Sequence, residues 1–152
     1  MTSSDRPKPV PRLTAVTLGT HDIRRSIAFY EALGFQRKAK ETGEAIAFFD
    51  TGASLLALFP WDRLADDAQL PDQPRPQAFR GTTMGWNCHS REEVDAVLTL
   101  AVACGATLIK PAHETFYGGY SGYFADPDGH AWDVVTAPGI EVGDDRRVHL
   151  AD

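Results

Sequence analysis

Residues 13–18 alternate in character. Ala15 and Thr17 stand on one side and Val16 and Leu18 on the other, the period-two pattern of a half-buried strand. The period then lengthens. Ile23, Ile27, Tyr30 and Leu33 recur at the spacing of one helix face, behind Asp22 as N-cap and ahead of Gly34 as the residue that ends the helix. Three short segments follow, at 35–40, 45–50 and 54–59, separated by the turn sequences E-T-G-E and D-T-G; they predict three successive strands. The texture changes over 61–81, which is rich in aspartate and proline. A connection this long inside a compact chain is unusual, and it predicts a link between two units that opens with a helical turn at Trp61.

The first pattern then returns. Residues 82–88 predict a strand, and Ser90 with Glu93 form a capping box. Val94, Val97, Leu98, Ala101 and Val102 form an apolar helix stripe that Gly105 ends. A short strand is predicted at 107–110, a loop at 111–119, and two strands at 120–125 and 131–136. The last two are joined by Asp126-Pro127-Asp128-Gly129, a strong hairpin signal. The near-repeat of 13–40 by 82–111 implies a fold of paired modules that build a cleft together. The division expected is a tail at 1–12, one domain at 13–136 and a polar tail at 137–152. Within the domain, module one spans 13–60, the link 61–81 and module two 82–136.

Composition narrows the function classes. A chain of 152 residues fits one domain, and 43% hydrophobic residues suffice for a core. The formal net charge of −6 lacks the basic face of a nucleic-acid binder. It favours neutral or cationic ligands over polyanions. No apolar run approaches the roughly 20 residues of a membrane span, and the first residues lack the apolar middle of a secretory signal. Cys88 and Cys104 have no metal-like or redox-like spacing and read as core thiols. A cytoplasmic protein is the expectation.

Three stretches carry a resemblance: AVTLGTHDIRRSIAFYEALGF, SREEVDAVLTLAVACGA and GGYSGYFADPDGHAWDVV. In order and spacing they are similar to the vicinal oxygen chelate superfamily, which includes glyoxalase I, extradiol dioxygenases and bleomycin-resistance proteins. The resemblance implies an α+β fold of two βαβββ modules whose mixed sheets curl around a shared cleft. In the metal-dependent members, one ligand stands on each of four cleft-facing strands. The positions implied here are Ala15, Thr83, the neighbourhood of Leu56 or Leu58, and Asp133. Only Asp133 is a hard donor. One carboxylate does not hold a divalent ion against water, which takes three or four protein groups. No metal and no cofactor are therefore expected.

The candidate chemistry is correspondingly sparse. Asp133, in an apolar strand, needs a partner or a wet cleft, and is a candidate base or ligand hook. His113 and Glu114, on the loop over the cleft, are candidate acid–base groups. Thr17, Thr83 and Asn87 share the parity of Ala15 and form a small, weakly polar floor. Phe116, Tyr117, Tyr120 and Trp61 are candidate aromatic walls. The leading expectation is a metal-independent small-molecule-binding homodimer of the glyoxalase/bleomycin-resistance type, taking a neutral or cationic organic ligand. One alternative is a lyase (glyoxalase-like), isomerase or dioxygenase-type enzyme that uses Asp133 or a loop residue. Another is an accessory module with a collapsed cleft. Nothing in the residues names the ligand.

Overall fold

A computed structural model describes residues 8–72 and 79–150. The first module runs β1 (Ala15–Thr20), α1 (Ile23–Ala32), β2 (Gln36–Lys38), β3 (Ala47–Asp50) and β4 (Leu55–Pro60). A connecting helix, α2 (Trp61–Asp67), leads to the second module. That module runs β5 (Thr83–Asn87), α3 (Arg91–Ala103), β6 (Thr107–Glu114), β7 (Tyr120–Ala125) and β8 (Ala131–Thr136). Each module folds its strands into one mixed sheet, in the orders β1-β4-β3-β2 and β5-β8-β7-β6. The outer pairs β1/β4 and β5/β8 are parallel, and the other pairs are antiparallel. This is the expected α+β arrangement of two βαβββ units curled around a cleft.

The expected caps form. The Asp22 side chain accepts from the Arg25 amide at 3.1 Å and the Ser90 hydroxyl from the Glu93 amide at 3.1 Å. Each satisfies a helix-start donor that has no partner within the helix. Gly34 and Gly105 follow their helices at φ +102° and +108°, a region that other residues enter only with strain.

Two expected boundaries move. The strand after α3 runs on to Glu114, with register shifts between Leu108 and Lys110 and between Lys110 and His113. Pro111, which cannot donate to a ladder, lies within the second irregular stretch. The region expected to be a polar tail carries a small hairpin, β9 (Ile140–Val142) with β10 (Val148–Leu150). Arg146 ties it to Asp50 of the first module at 3.0 Å.

One core serves both modules, on the helix-bearing sides of the sheets. Tyr30, Phe49, Leu58, Val94, Phe124 and Val134 are fully buried there. Phe124 stacks on Trp132 with ring centres 5.9 Å apart and an interplanar angle of 6°. Phe29 and Tyr30 of α1 pack across the module boundary against Phe124 and Trp132.

The Asp126–Gly129 turn does more than reverse the chain, because it latches module two onto module one. Asp126 accepts from the Tyr30 hydroxyl at 2.6 Å and from the amides of Asp128 and His130, each at 2.9 Å. Asp128 accepts from the Thr20 hydroxyl at 2.7 Å and the His21 amide at 3.0 Å, and Arg25 lies 3.3 Å away. Both carboxylates are buried, so these bonds offset the cost of removing them from water.

Candidate functional site

Each sheet has a second face that no helix of its own module covers. Strand alternation assigns residues to it. Leu18 is buried in the core, with Val16 packed against it, so Ala15 and Thr17 lie on the opposite, open face of β1 and are exposed. In β5, Met84 and Trp86 pack on the core, which leaves Thr83, Gly85 and Asn87 on the open face. The expected floor of small, weakly polar groups is therefore brought together, strand by strand.

The pairing register corrects one position. Ala15 pairs with Leu55 and Thr17 with Ala57. In the second module, Thr83 pairs with Ala131 and Gly85 with Asp133. The counterpart of Asp133 in module one is therefore Ala57. Leu56 and Leu58, the expected neighbourhood, point into the core. The run 55–59 is apolar throughout and carries no alternation to reveal its parity.

Asp133 is half-buried on the open face of β8, where its Oδ1 accepts from the Ser121 hydroxyl at 2.7 Å. Tyr123 stands directly opposite it in the ladder. The Tyr123 phenol is pushed above its usual pKa, first by burial and then by the negative charge of Asp133 and by Tyr117. His113 pairs with Ser121 across β6 and β7, which puts it on the same open face. A side chain at Gly119, on the parity of Ser121 and Tyr123, would run into the Tyr117 ring at 2.8 Å. Tyr117 therefore lies over the end of β7 on the open side.

Other candidates lie elsewhere. Tyr120 donates to Asp95 of α3 at 2.7 Å and sits under the Arg91 guanidinium, 5.2 Å from its ring centre. Its phenol is pushed up chiefly by that Asp95 bond. Glu114, opposite Tyr120 in the ladder, pairs with Arg91 at 2.9 Å. Both thus belong to the outer, α3 side and not to the cleft. Phe116 is fully exposed and touches Tyr117 edge-on at 5.2 Å.

Trp61 is stacked between His21 (4.6 Å, 15°) and His130 (5.8 Å, 19°), with Arg80 at 5.1 Å. Gly19 makes room for it, since a side chain there would meet the indole at 3.0 Å. Gly19 shares the parity of Ala15 and Thr17, so Trp61 closes the far end of the open face of β1. His130 is held in turn: Arg80 can only donate, at 2.9 Å to Nδ1, and Nε2 then donates to the Gly19 carbonyl at 2.8 Å.

The sequence puts Tyr123 in an aromatic cluster with Phe116, Tyr117, Tyr120 and Phe124, about half of which is expected to line the cleft, and gives Ser121 a strand but no place in the site. Their shared parity with Asp133 across a two-strand hairpin was the available signal. A hollow of about 600 Å³ is an open groove on the helix side between Arg25, Phe29, Cys104 and Pro127. Its polar groups include latch residues, so it is not the centre of the candidate chemistry. Among the described residues, no three His, Cys, Asp or Glu side chains are grouped to hold a metal ion. No helix among them is long and apolar enough to cross a membrane.

Residues 12–134 match the family described as the Glyoxalase/Bleomycin resistance protein/Dioxygenase superfamily, and the chain belongs to it. A glyoxalase-related enzyme from Fulvimarina pelagi superposes with a TM-score of 0.84 at 29% identity, covering 94% of this chain and 100% of that one. A glyoxalase/bleomycin resistance protein/dioxygenase family enzyme from Burkholderia phytofirmans PsJN gives 0.73 at 26% identity, over 82% and 97%. A lactoylglutathione lyase from Agrobacterium tumefaciens gives 0.63 at 24% identity, over 84% and 95%, a likeness of fold. No curated protein matches the chain.

Proposed function

We propose that this chain is a metal-independent small-molecule-binding protein that takes a neutral or cationic organic ligand between its open sheet faces. The observation that carries the reading is the donor set at the four positions where metal-dependent relatives place ligands. They are Ala15, Ala57, Thr83 and Asp133, two methyl groups, a hydroxyl and one carboxylate. Asp133 is already bonded to Ser121. These residues do not fit a divalent ion, which needs three or four protein donors. They do suit a cleft that recognises its ligand by shape and a few hydrogen bonds. Tyr117 supplies apolar area with a polar tip. The domain proposed is 13–136, acting as a cytoplasmic homodimer.

Elemental analysis of protein purified without chelators tests the first half of the reading. Well under one divalent ion per chain is expected. Near-stoichiometric zinc, nickel, manganese or iron that disappears in Asp133→Ala would overturn metal independence. A thermal-shift screen tests the second half, since a ligand of the native state raises the melting temperature. For a hit, Tyr117→Ala weakens binding by about tenfold, roughly 1.4 kcal/mol. Tyr120→Ala, on the α3 side, leaves the affinity unchanged. Equal affinities for wild type and Tyr117→Ala would remove the aromatic wall from the reading.

A second reading, a lyase- or isomerase-type enzyme, is favoured by one placement. His113 and Asp133 share the open face, and an imidazole and a carboxylate are general acid–base groups. The 29%-identical relative described as a glyoxalase-related enzyme points the same way. Exchange of a bound ligand's carbon-attached protons with deuterated solvent, lost in both His113→Ala and Asp133→Asn, would establish it.

A further inference from the structure

We propose that the open face of module two carries a cation-recognition subsite, in which the Asp133 carboxylate pairs with an organic ammonium held against the rings of Tyr123 and Tyr117. The inference rests on the small-molecule-binding reading and narrows its ligand class.

The first observation is an unbalanced charge. Asp133 is half-buried, accepts from the Ser121 hydroxyl and has the Tyr123 phenol as a second hydrogen-bonding neighbour, and among the described residues it forms no ion pair. A carboxylate drawn partly out of water is stabilised by an opposite charge within about 4–6 Å. The Ser121 and Tyr123 hydroxyls each offer a single donor and no charge, against about four lone-pair sites on a carboxylate, so acceptor capacity remains and the charge is unbalanced. Lys110 stands opposite Tyr123 in the ladder, one strand further from Asp133, and is exposed without reaching it.

The second observation is space. Asp133 has Tyr123 on one side and Gly85 on the other. A Cβ built at Gly85 meets only the Asn87 side-chain oxygen, at 3.6 Å. The floor beside the carboxylate is therefore open, and the nearest group across it is the uncharged Asn87 carboxamide. An ammonium has three donors and no acceptor. It can bond Asp133 and the Asn87 carboxamide oxygen, whereas an anion is repelled by the Asp133 charge.

The third observation is the aromatic setting. Tyr123 lies opposite Asp133, and the Tyr117 ring, which lies over Gly119 at the start of β7, reaches far enough to bear on the Tyr123 phenol. A cation near the face of such rings is attracted by the ring quadrupole, more strongly when it is partly desolvated. The raised Tyr123 phenol adds that the ring keeps its proton and stays uncharged beside the carboxylate.

The test compares three probes that share a phenyl body: phenethylammonium, phenethyl alcohol and phenylpropanoate. Affinities are read from backbone amide shifts at physiological salt, where attraction by distant surface charge is largely screened. Phenethylammonium is expected to bind wild type about tenfold or more tightly than the alcohol, with phenylpropanoate weakest. Shifts should centre on Gly85, Tyr123 and Asp133. In Asp133→Asn, which keeps an oxygen for Ser121, the ammonium preference collapses while affinity for the alcohol is retained. Glu114→Gln removes one charge from the α3 side and keeps the preference. Equal binding of ammonium and alcohol at the open face overturns the inference while leaving small-molecule binding intact. A preference that survives Asp133→Asn, or is lost equally in Glu114→Gln, overturns it as well. So does the absence of any shift at the open face at the highest soluble probe concentration; the broader reading is then decided by the thermal-shift screen.

Discussion

Replacing Asp126 by alanine lowers the unfolding free energy by about 3–5 kcal/mol, measured from urea midpoints, because three donors lose one acceptor at once. They are the Tyr30 hydroxyl and the amides of Asp128 and His130, at 2.6, 2.9 and 2.9 Å. Each buried donor left without a partner costs about 1–3 kcal/mol, and relaxation keeps the total below the sum. The Trp132 indole also donates to the Tyr30 oxygen, at 3.1 Å, so disturbance of Tyr30 reaches the stacked core. Asp144→Ala, on the exposed turn between β9 and β10, should stay within about 0.5 kcal/mol of wild type. A loss below about 1 kcal/mol for Asp126→Ala would mean that the turn does not latch the modules. The same latch predicts an alkaline signature. Burial, then the charge of Asp126, hold the Tyr30 phenol well above its usual pKa. In the unfolded chain it ionises near the ordinary value of about 10. Its contribution is whole below that pH and is lost as pH rises further, since the unfolded state then releases a proton the folded state keeps. Tyr30→Phe should be less stable at neutral pH and show a shallower stability loss above about pH 10.

What could be read from the chain, and what could not, divides on physical grounds. The capped helices were legible because capping is local: Asp22 and Ser90 find their amide partners three residues away. The parity of β1 and β5 was legible because small or polar residues alternate there with large apolar ones. The parity of β4 was not, since the run 55–59 is apolar on both sides. Tyr120 was expected at the cleft because aromatic character marks area, not direction. Its direction is set by Asp95 and Arg91 of α3, 25 and 29 residues earlier, which offer the phenol an acceptor and the ring a cation. The role of the Asp126–Gly129 turn was half-legible. Turn chemistry explains its composition, but the partners Tyr30 and Thr20 lie about a hundred residues earlier, and no local rule connects them. The same holds for Trp61, whose neighbours His21 and His130 come from different modules. For the candidate site, residue types pointed to Asp133, whereas Ser121 and Tyr123 needed the ladder register to join it.

Gly119→Ala is expected to destabilise the protein by about 1–3 kcal/mol, the usual cost of forcing a methyl group into a filled space. A Cβ at this position meets the Thr136 carbonyl oxygen at 2.7 Å, the Tyr117 ring at 2.8 Å and the Thr115 hydroxyl at 3.1 Å. The ring can swing away, but the carbonyl belongs to β8, whose Thr136 is paired with Tyr120 next in the chain. Moving it disturbs the end of the β7/β8 ladder. The Gly119 amide also donates to the Thr115 hydroxyl at 2.9 Å, closing the loop that carries Tyr117. One methyl group therefore strains a strand end and displaces the candidate wall of the site. Gly118→Ala separates these effects. Gly118 has φ +84° with only Pro138 nearby, at 3.6 Å, so its substitution strains the backbone without pushing on the ring. Both variants should lose stability in urea titration, but only Gly119→Ala should shift the Tyr117 ring resonances and those of Tyr123 beside it. A Gly119→Ala protein as stable as wild type, with unmoved Tyr117 resonances, would show that the loop is not packed down on β7. The open face of module two would then lack its aromatic rim, and ligand recognition there would fall to Tyr123 and Asp133 alone.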